Sequence, residues 1–421
     1  MDKLEVGYAA VDVTPPLGIE MAGYGPYLNR RAKSRHDELF VRAAVIHAGG
    51  ERLALVSCEI IGLSVEDSSE LCRMAERRYG IPADSILLAC IHTHSGPATQ
   101  PVRCWGEPDP KYMQQLKRAI IDCIGEAVGE LSPAEFGFAR ADVDPIGHNR
   151  ASGENGSVDP SLSVAYFQLQ RGGGIVAVNH ACHPVVLGIN DAVSADYPGE
   201  VVRRLEQEGV SGLFFNGCGG DIDPLTNKVK WGSGTFQDTA CFGRKLADAS
   251  LALLNKMHLT DWLDVKAAKK VIALPLQPAD PDQLLAHQRE CTAKLQADAS
   301  DRWARFELDW VTDLLNAIES NTVEREVPFV VQALKIGDAT LIGLSGEVFC
   351  EIGLHIAQRL GTRTMVVGYA NGVTGYIPMP TDFDNKGYAA TLAPRIYGRL
   401  QMTPNVAAIV TDAAVELAEN L

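Results

Sequence analysis

Residues 85–97 of the chain are Ser85-Ile86-Leu87-Leu88-Ala89-Cys90-Ile91-His92-Thr93-His94-Ser95-Gly96-Pro97. The apolar run 85–90 predicts a buried strand, which ends where the polar residues begin. On an extended backbone, residues two apart point to the same side, so we expect His92 and His94 to face one space. Two imidazoles at a strand end bind a metal or are satisfied by local hydrogen bonds, and the motif alone leaves both interpretations open.

The order hairpin, helix, strand occurs three times along the chain. The hairpins are predicted at 41–59, 164–183 and 329–347, the helices at about 65–79, 197–208 and 351–360, and the third strands at 85–90, 212–215 and 364–369. Turns of the type Gly-Gly or Gly-Asp separate the two strands of each hairpin. The pattern predicts an α/β fold with a mixed β-sheet core and flanking helices, built from about three hairpin-helix-strand units.

Polar residues stand where the second and third strands of these units end. They are His92, His94, His180, His183, Asp221, Asp223, Glu347 and Tyr376. Because sites in α/β sheets assemble at the ends of neighbouring strands, we expect these residues to share one site.

The segment from about 278 to 321 departs from this order. Its Leu, Ala, Trp and charged residues predict two helices inserted between the second and third units. A cover over the core, a lid and an oligomer contact are all compatible with such an insertion. Residues 1–421 are otherwise predicted to form a single domain.

Composition excludes several classes of function. The formal net charge is -15 and basic residues form no stripe, which argues against nucleic-acid binding. No apolar run approaches the roughly 20 residues needed to cross a bilayer, and the start Met1-Asp2-Lys3 has no leader pattern. The ten cysteines are scattered without a Cys-x-x-Cys pair, which predicts reduced thiols. We therefore expect a soluble, cytoplasmic protein that does not bind membranes.

At these motifs the chain resembles the amidase domain of the neutral/alkaline (non-lysosomal) ceramidase family, as a short bacterial-type member. The resemblance runs from Gly7 to about Gly398 and is carried by His92-Thr93-His94-Ser95-Gly96-Pro97, Ala181-Cys182-His183-Pro184, Gly346-Glu347, Gly375-Tyr376-Ile377-Pro378, His148-Asn149-Arg150 and Lys386-Gly387-Tyr388. It implies a zinc hydrolase in which Zn²⁺ is bound by His92, His183, Glu347 and Tyr376. This ligand set suits Zn²⁺ and leaves a position for water.

The resemblance also implies the groups that act on the substrate. Arg150 and Tyr388 match positions that contact the substrate amide, and Asn149 precedes Arg150. His94 is expected to lie beside the metal or to act as an acid or base.

Two departures from the family limit this inference. The family has a serine two residues after a Gly-Asp pair, whereas here that position is Asp223. The family also continues into a C-terminal β-sandwich, whereas this sequence ends at Leu421. The expected lack of the β-sandwich and of a leader, together with the acidic charge, favours hydrolysis of a small soluble amide over hydrolysis of a membrane lipid.

The predicted mechanism needs no serine. Zn²⁺ lowers the pKa of bound water to about 7 and polarises the scissile carbonyl. Asp223 would accept the proton of the water as general base, and Arg150 and Tyr388 would stabilise the oxyanion or bind a substrate carboxylate. Asp223 could instead bind a second metal with Asp221 or His94, or cap a turn.

Two other functions remain open at this stage. One is a metal-dependent esterase or lactonase, because activated water attacks either kind of acyl group. The other is a non-catalytic metal- or ligand-binding homologue, in which loss of the family serine means loss of turnover. The predicted partners are a small-molecule amide and a second copy of the chain in a homo-oligomer, with no nucleic acid and no membrane.

Overall fold

Three four-stranded units form the main sheets of the protein, as seen in a computed structural model that describes residues 3–100 and 102–421. In each unit a first strand and a hairpin are antiparallel, and a helix leads to a last strand parallel to the second strand of the hairpin. The predicted α/β class, mixed sheet and three units are therefore confirmed. Met1, Asp2 and Pro101 lie outside the described residues. The predicted lack of a leader pattern and the predicted domain over 1–421 include these residues, and to that extent they also lie outside the described residues.

The bounds of the units follow the predicted order closely. The first unit has strands Glu5–Asp12, Phe40–Ala48, Glu51–Cys58 and Ile86–Cys90 with helix Val65–Tyr79; the second has strands Ser132–Asp142, Ser161–Leu169, Gly174–His180 and Val210–Asn216 with helix Asp196–Gln207; the third has strands Val265–Pro275, Glu326–Ile336, Ala339–Leu344 and Thr364–Val367 with helix Cys350–Leu360. A strand-like segment beginning at residues 1–6 indicates the first strand of the first unit, whereas no pattern predicts the first strands of the second and third units.

The units form two sheets instead of one. The first and second units join edge to edge through the pairs Glu5 with Pro133 and Val6 with Ser132, which gives eight strands. The third unit is a separate four-stranded sheet. The two sheets share one apolar layer, to which the first contributes Leu55 and the second Leu334. Apolar side chains at alternate positions of each strand fill this layer because successive residues point to opposite faces.

Helices cover the outer faces of both sheets. On the eight-stranded sheet lie Val65–Tyr79, Pro110–Gly129, Asp196–Gln207 and Phe236–Leu254, and on the four-stranded sheet lie Cys350–Leu360 and Val406–Glu419. Local signals in the sequence begin two of these helices. Asp109 precedes Pro110 and accepts a hydrogen bond from the backbone amide of Tyr112, and Thr235 and Asp238 form a capping box. The result is a four-layer arrangement of helix, sheet, sheet and helix.

The two helices predicted in the insertion are present, at Pro281–Ala297 and Arg302–Glu319. Aspartates cap both of them, because Asp280 and Asp301 each accept two hydrogen bonds from backbone amides of the first turn. The helices pack against each other, and Phe306 is buried against residues outside the insertion. The insertion is thus held firmly to the body of the protein.

Short elements fill the loops. The strands Ser34–Arg35 and Ala192–Val193 pair, as do Gly147–Asn149 with Ile222–Pro224 and Glu347–Val348 with Tyr376–Ile377; short helices are Ala83–Ser85, Gly153–Asn155, Leu225–Val229, Pro380–Asp384, Tyr388–Thr391 and Ala393–Ile396. All ten cysteines are free thiols, and eight of them are buried. Among the described residues, no helix combines the length and the apolar character that crossing a membrane requires.

Candidate functional site

The imidazoles of His92 and His94 meet just beyond the last strand of the first unit. That strand ends at Cys90, and His92 has a left-handed backbone with φ of 71° instead of an extended one. The two Nε2 atoms are nevertheless 3.2 Å apart. The ring of His92 stacks on Tyr369 at 4.2 Å between centroids, and its Nδ1 is 2.6 Å from the carbonyl oxygen of Ile61. The expected convergence is present, but a turn produces it and not a strand.

His183 approaches the same point from the second unit. Its Nδ1 is 2.9 Å from the carbonyl oxygen of Gly219, so its Nε2 faces the other histidines. The metal-binding atoms of His92, His94 and His183 lie within 4.8 Å of one another. A backbone carbonyl at Nδ1 orients the ring of His92 and of His183, which is the usual arrangement around metal-binding histidines.

Glu347 completes this cluster from the third unit. Its Oε2 is 3.2 Å from Nε2 of His92 and 3.4 Å from Nε2 of His183, and its Oε1 accepts a 2.7 Å hydrogen bond from the hydroxyl of Tyr397. Burial would raise the pKa of Glu347, but the two facing imidazoles lower it well below its usual value. Oε2 of Glu347 and Nε2 of His183 are buried without a hydrogen-bond partner. Unpartnered buried ligand atoms on the second and third units, facing His92 of the first unit, fit a bound cation.

Tyr376 lies beside Glu347, because the two residues pair in short parallel strands. Its hydroxyl accepts a 2.9 Å hydrogen bond from Nη2 of Arg150. Burial raises the pKa of this phenol well above its usual value of 10. A cation in the cluster would act in the opposite direction.

Arg150, whose side chain is partly exposed, and the buried Asp223 form an ion pair next to the cluster. Nη1 of Arg150 donates to Oδ1 of Asp223 at 2.9 Å, and Nη2 donates to the carbonyl oxygen of Gly220 at 2.8 Å. Asn227 donates to the other oxygen of Asp223 at 3.3 Å. Burial would raise the pKa of Asp223, but Arg150 outweighs it and lowers the pKa below its usual value. Asp223 is therefore ionised at neutral pH.

Asp221 and Asn149 have structural partners. The carboxylate of Asp221 accepts from the amide of Cys350 at 2.7 Å and from Nδ2 of Asn149 at 2.6 Å, and burial raises its pKa to about 6. Asn149 also donates to the carbonyl of Ser157, and its Oδ1 accepts from two amides of the next turn. Both side chains join loops together. Asn149 is predicted to contact the substrate, and Asp221 to bind a second metal as one alternative, but their hydrogen bonds in the structure are to other parts of the protein.

Two other candidates have different surroundings. His180 is buried, with Nδ1 2.9 Å from the carbonyl oxygen of Ser161, and it is not part of the cluster. His94 is half-buried; the loss of hydration and the neighbouring imidazoles lower its pKa well below 6.5, so its ring is neutral. Its Nδ1 has no hydrogen-bond partner.

A pocket of about 450 Å³ opens over these groups. His94, Arg150, Asp223 and Tyr376 line its inner part, and Tyr388 stands at its side with its ring 5.6 Å from that of Tyr376. A second, small cavity of about 30 Å³ touches His92, His94, Glu347 and Tyr376. That volume is enough for a water molecule.

Several residues of the site carry no clear signal in the sequence. Tyr397 holds Glu347, and Tyr24, Trp231 and Trp303 line the pocket. Tyr397 follows a short helix without a recognisable motif. Tryptophans in polar surroundings, such as Trp231 and Trp303, are a weak signal for a binding surface.

Comparisons with known proteins agree with this architecture. No protein-family model matches the chain. The neutral ceramidases of Drosophila melanogaster and Drosophila pseudoobscura pseudoobscura are both 22% identical to it over 311 residues, which cover 60% of this chain and 44% of theirs. The chain thus spans less than half the length of the curated relatives it matches.

Two solved structures have the same fold. A structure described as a ceramidase complexed with C2 has a TM-score of 0.76 at 16% identity, and the neutral ceramidase from Pseudomonas aeruginosa has a TM-score of 0.74 at 18% identity. Each comparison covers 99% of this chain and 74% of the other.

Proposed function

We propose that this chain, a relative of the neutral ceramidases with their fold, is a metal-dependent hydrolase that cleaves the amide bond of a small soluble molecule. The observation that carries the proposal is the cluster of His92, His183 and Glu347, in which Nε2 of His183 and Oε2 of Glu347 are unpartnered, beside a pocket lined by the ion pair of Arg150 and Asp223. We assign Zn²⁺ to this cluster, with Tyr376 as the fourth ligand, because imidazole, carboxylate and phenolate groups suit that ion.

The bound cation would polarise the scissile carbonyl and activate a water for attack. We assign Arg150 and Tyr388 to stabilising negative charge on the carbonyl oxygen, because both side chains line the pocket. His94 is neutral and is assigned a hydrogen bond to the substrate.

Asp223 is proposed as the general base. It is ionised, and each of its oxygens accepts one hydrogen bond, which leaves lone pairs free to take the proton of the attacking water. Because Arg150 lowers its pKa, Asp223 would hold that proton only briefly before passing it to the leaving nitrogen. Its position in place of the family serine is consistent with direct attack by water.

The test combines metal analysis with a screen of soluble amides. We expect about one Zn²⁺ per chain, lost together with activity in His92→Ala and His183→Ala. His355→Ala is the matched control, because this exposed histidine lies on the helix Cys350–Leu360, outside the site. Full metal content and activity in both site variants would contradict the assignment.

Matched esters decide between the alternatives. Hydrolysis of the ester without hydrolysis of the matched amide would indicate an esterase or lactonase. Metal binding without turnover of either substrate would indicate a binding protein. The homo-oligomer, the single domain and the cytoplasmic location stay predictions.

A further inference from the structure

Aromatic side chains make up a large part of the lining of the substrate pocket. Three of the five tryptophans of the chain line it, together with Tyr24 and Tyr388 as well as Tyr376. We call five of these residues the aromatic wall: Tyr24, Trp105, Trp231, Trp303 and Tyr388. Trp231 is 50% exposed and Trp303 is 40% exposed. Large aromatic surfaces at the mouth of a concave site are typical of a binding surface that a ligand covers.

The wall is held in place by contacts on both sides. Tyr24 meets Trp231 edge to face at 5.6 Å and His94 at 5.1 Å. Trp303 meets Phe306 edge to face at 5.9 Å, and Phe306 is buried. The wall therefore connects directly to the histidine cluster.

The helical insertion supplies part of this wall. Trp303 lies in the first turn of the helix Arg302–Glu319, where its amide donates to the capping Asp301 at 3.0 Å. The same helix holds the loop before residue 30, because Asp309 accepts a hydrogen bond from Tyr27. That loop carries Tyr24. The insertion thus shapes the pocket, which favours a role in substrate selection over a mere cover.

The aromatic wall itself contains no charged side chain. The carboxylate of Asp382, which also lines the pocket, accepts a hydrogen bond from the Ala390 amide at 2.8 Å, and Arg150 and Asp223 neutralise each other. What remains is a set of apolar ring faces and edges. Such surfaces favour flat aromatic partners, which gain about 0.5–1.5 kcal/mol per ring pair beyond the burial of area.

We propose that the pocket selects a planar aromatic group attached to the scissile amide, with Trp231 and Trp303 as specificity-determining residues. This inference rests on the proposed function for the position of the amide. A volume of about 450 Å³ is within the range of pockets that hold drug-sized ligands. The aromatic ring would lie against the wall, while the amide reaches Arg150 and the cluster.

The first test compares kcat/KM within two series of amides. In one series the amine is constant and the acyl group is naphthoyl, benzoyl, cyclohexanecarbonyl or hexanoyl; in the other the acyl group is constant and the amine carries the ring. We expect an aromatic substrate to be preferred over its saturated counterpart by about 10-fold in one series, and Trp303→Ala to remove most of that preference by raising KM. Trp303→Phe should keep much of it. Trp262→Ala is the matched control, because Trp262 is 52% exposed and lies outside the pocket. Equal rates for aromatic and saturated groups in both series would overturn the inference.

A binding measurement separates this inference from the proposed function. 2-Naphthamide should quench tryptophan fluorescence of the purified protein saturably, and Trp231→Ala combined with Trp303→Ala should weaken its binding by about 10-fold or more. If no amide is hydrolysed but this binding is present and depends on both tryptophans, the catalytic proposal fails while the aromatic pocket stands. If aliphatic amides are hydrolysed and naphthamide does not bind, the catalytic proposal stands and the aromatic pocket is wrong.

Discussion

Replacing Tyr397 with phenylalanine should weaken metal binding without removing any proposed ligand. The hydroxyl of Tyr397 donates to Oε1 of Glu347 at 2.7 Å, which leaves Oε2 facing the two histidines. Hydrogen bonds to charged groups contribute about 1.5–3 kcal/mol, and removing a partner that orients a metal ligand typically costs 10- to 100-fold in affinity. The two ranges overlap, since a tenfold change equals about 1.4 kcal/mol. We therefore expect the Kd for Zn²⁺ to rise about 10- to 100-fold in Tyr397→Phe.

Competition with a chromophoric chelator at pH 7 measures this Kd directly. Tyr79→Phe is the matched control, because Tyr79 ends the helix Val65–Tyr79 outside the site. Activity of Tyr397→Phe should recover as zinc is raised to saturation, which a residue that acts on the substrate would not show. A Kd within about twofold of the wild type would refute the reasoning, because Glu347 would then be oriented without Tyr397 or would not bind the metal.

Three further predictions concern catalysis, pH and substrate. Asp223→Asn should keep the metal and lose about 10²–10⁴-fold in kcat, with ¹⁸O from solvent entering the product acid directly; an unchanged rate, or an acyl-enzyme trapped by hydroxylamine, would contradict water attack with Asp223 as base. Burial raises the pKa of Asp196 from 3.8 to about 7, so the folded state holds a proton that the unfolded state releases, and stability falls as the pH rises from 4 to 7. When the free energy of unfolding is measured in urea at each pH, Asp196→Asn should remove up to about 4 kcal/mol of this fall. If the free energies of the two proteins change in parallel from pH 4 to 7, Asp196 does not titrate in that range. Long-chain ceramide in detergent micelles should be hydrolysed about 10-fold more slowly than the best aromatic amide, and equal rates would mean that a lipid chain fits the pocket as well as a ring.

The units of the fold are predictable because their signals are local. Apolar strands, glycine turns and amphipathic helices follow one another within each unit, and the helix Val65–Tyr79 has the predicted bounds. The first strand of each unit is harder to recognise, because long loops or helices separate it from its hairpin. The division into two sheets is not a local property either. It depends on which unit edges pair, and among the described residues two residue pairs between strands, Glu5 with Pro133 and Val6 with Ser132, join the first unit to the second.

The residues of the site were predictable mainly through their position after strands and through the resemblance. The orientation of their side chains was not. His92 reaches the cluster through a left-handed turn, and Asn149 uses all its hydrogen-bonding groups within the protein. Contacts such as that of Tyr397 with Glu347 join residues 50 positions apart, so no local pattern encodes them.

Asn216 shows how the three units are held in register around the site. Its Nδ2 donates to the carbonyl of Ile91 in the first unit at 3.2 Å, its Oδ1 accepts from Cys182 in the second at 3.3 Å, and its backbone oxygen accepts from Gly368 in the third at 3.0 Å. Asn216 is fully buried, so each unmade bond would cost about 1–3 kcal/mol. Asn216 therefore links the loops that carry His92 and His183 to the end of the last strand of the third unit. A cluster drawn from three units can keep ångström-scale geometry because the chain ties their strand ends together at this point.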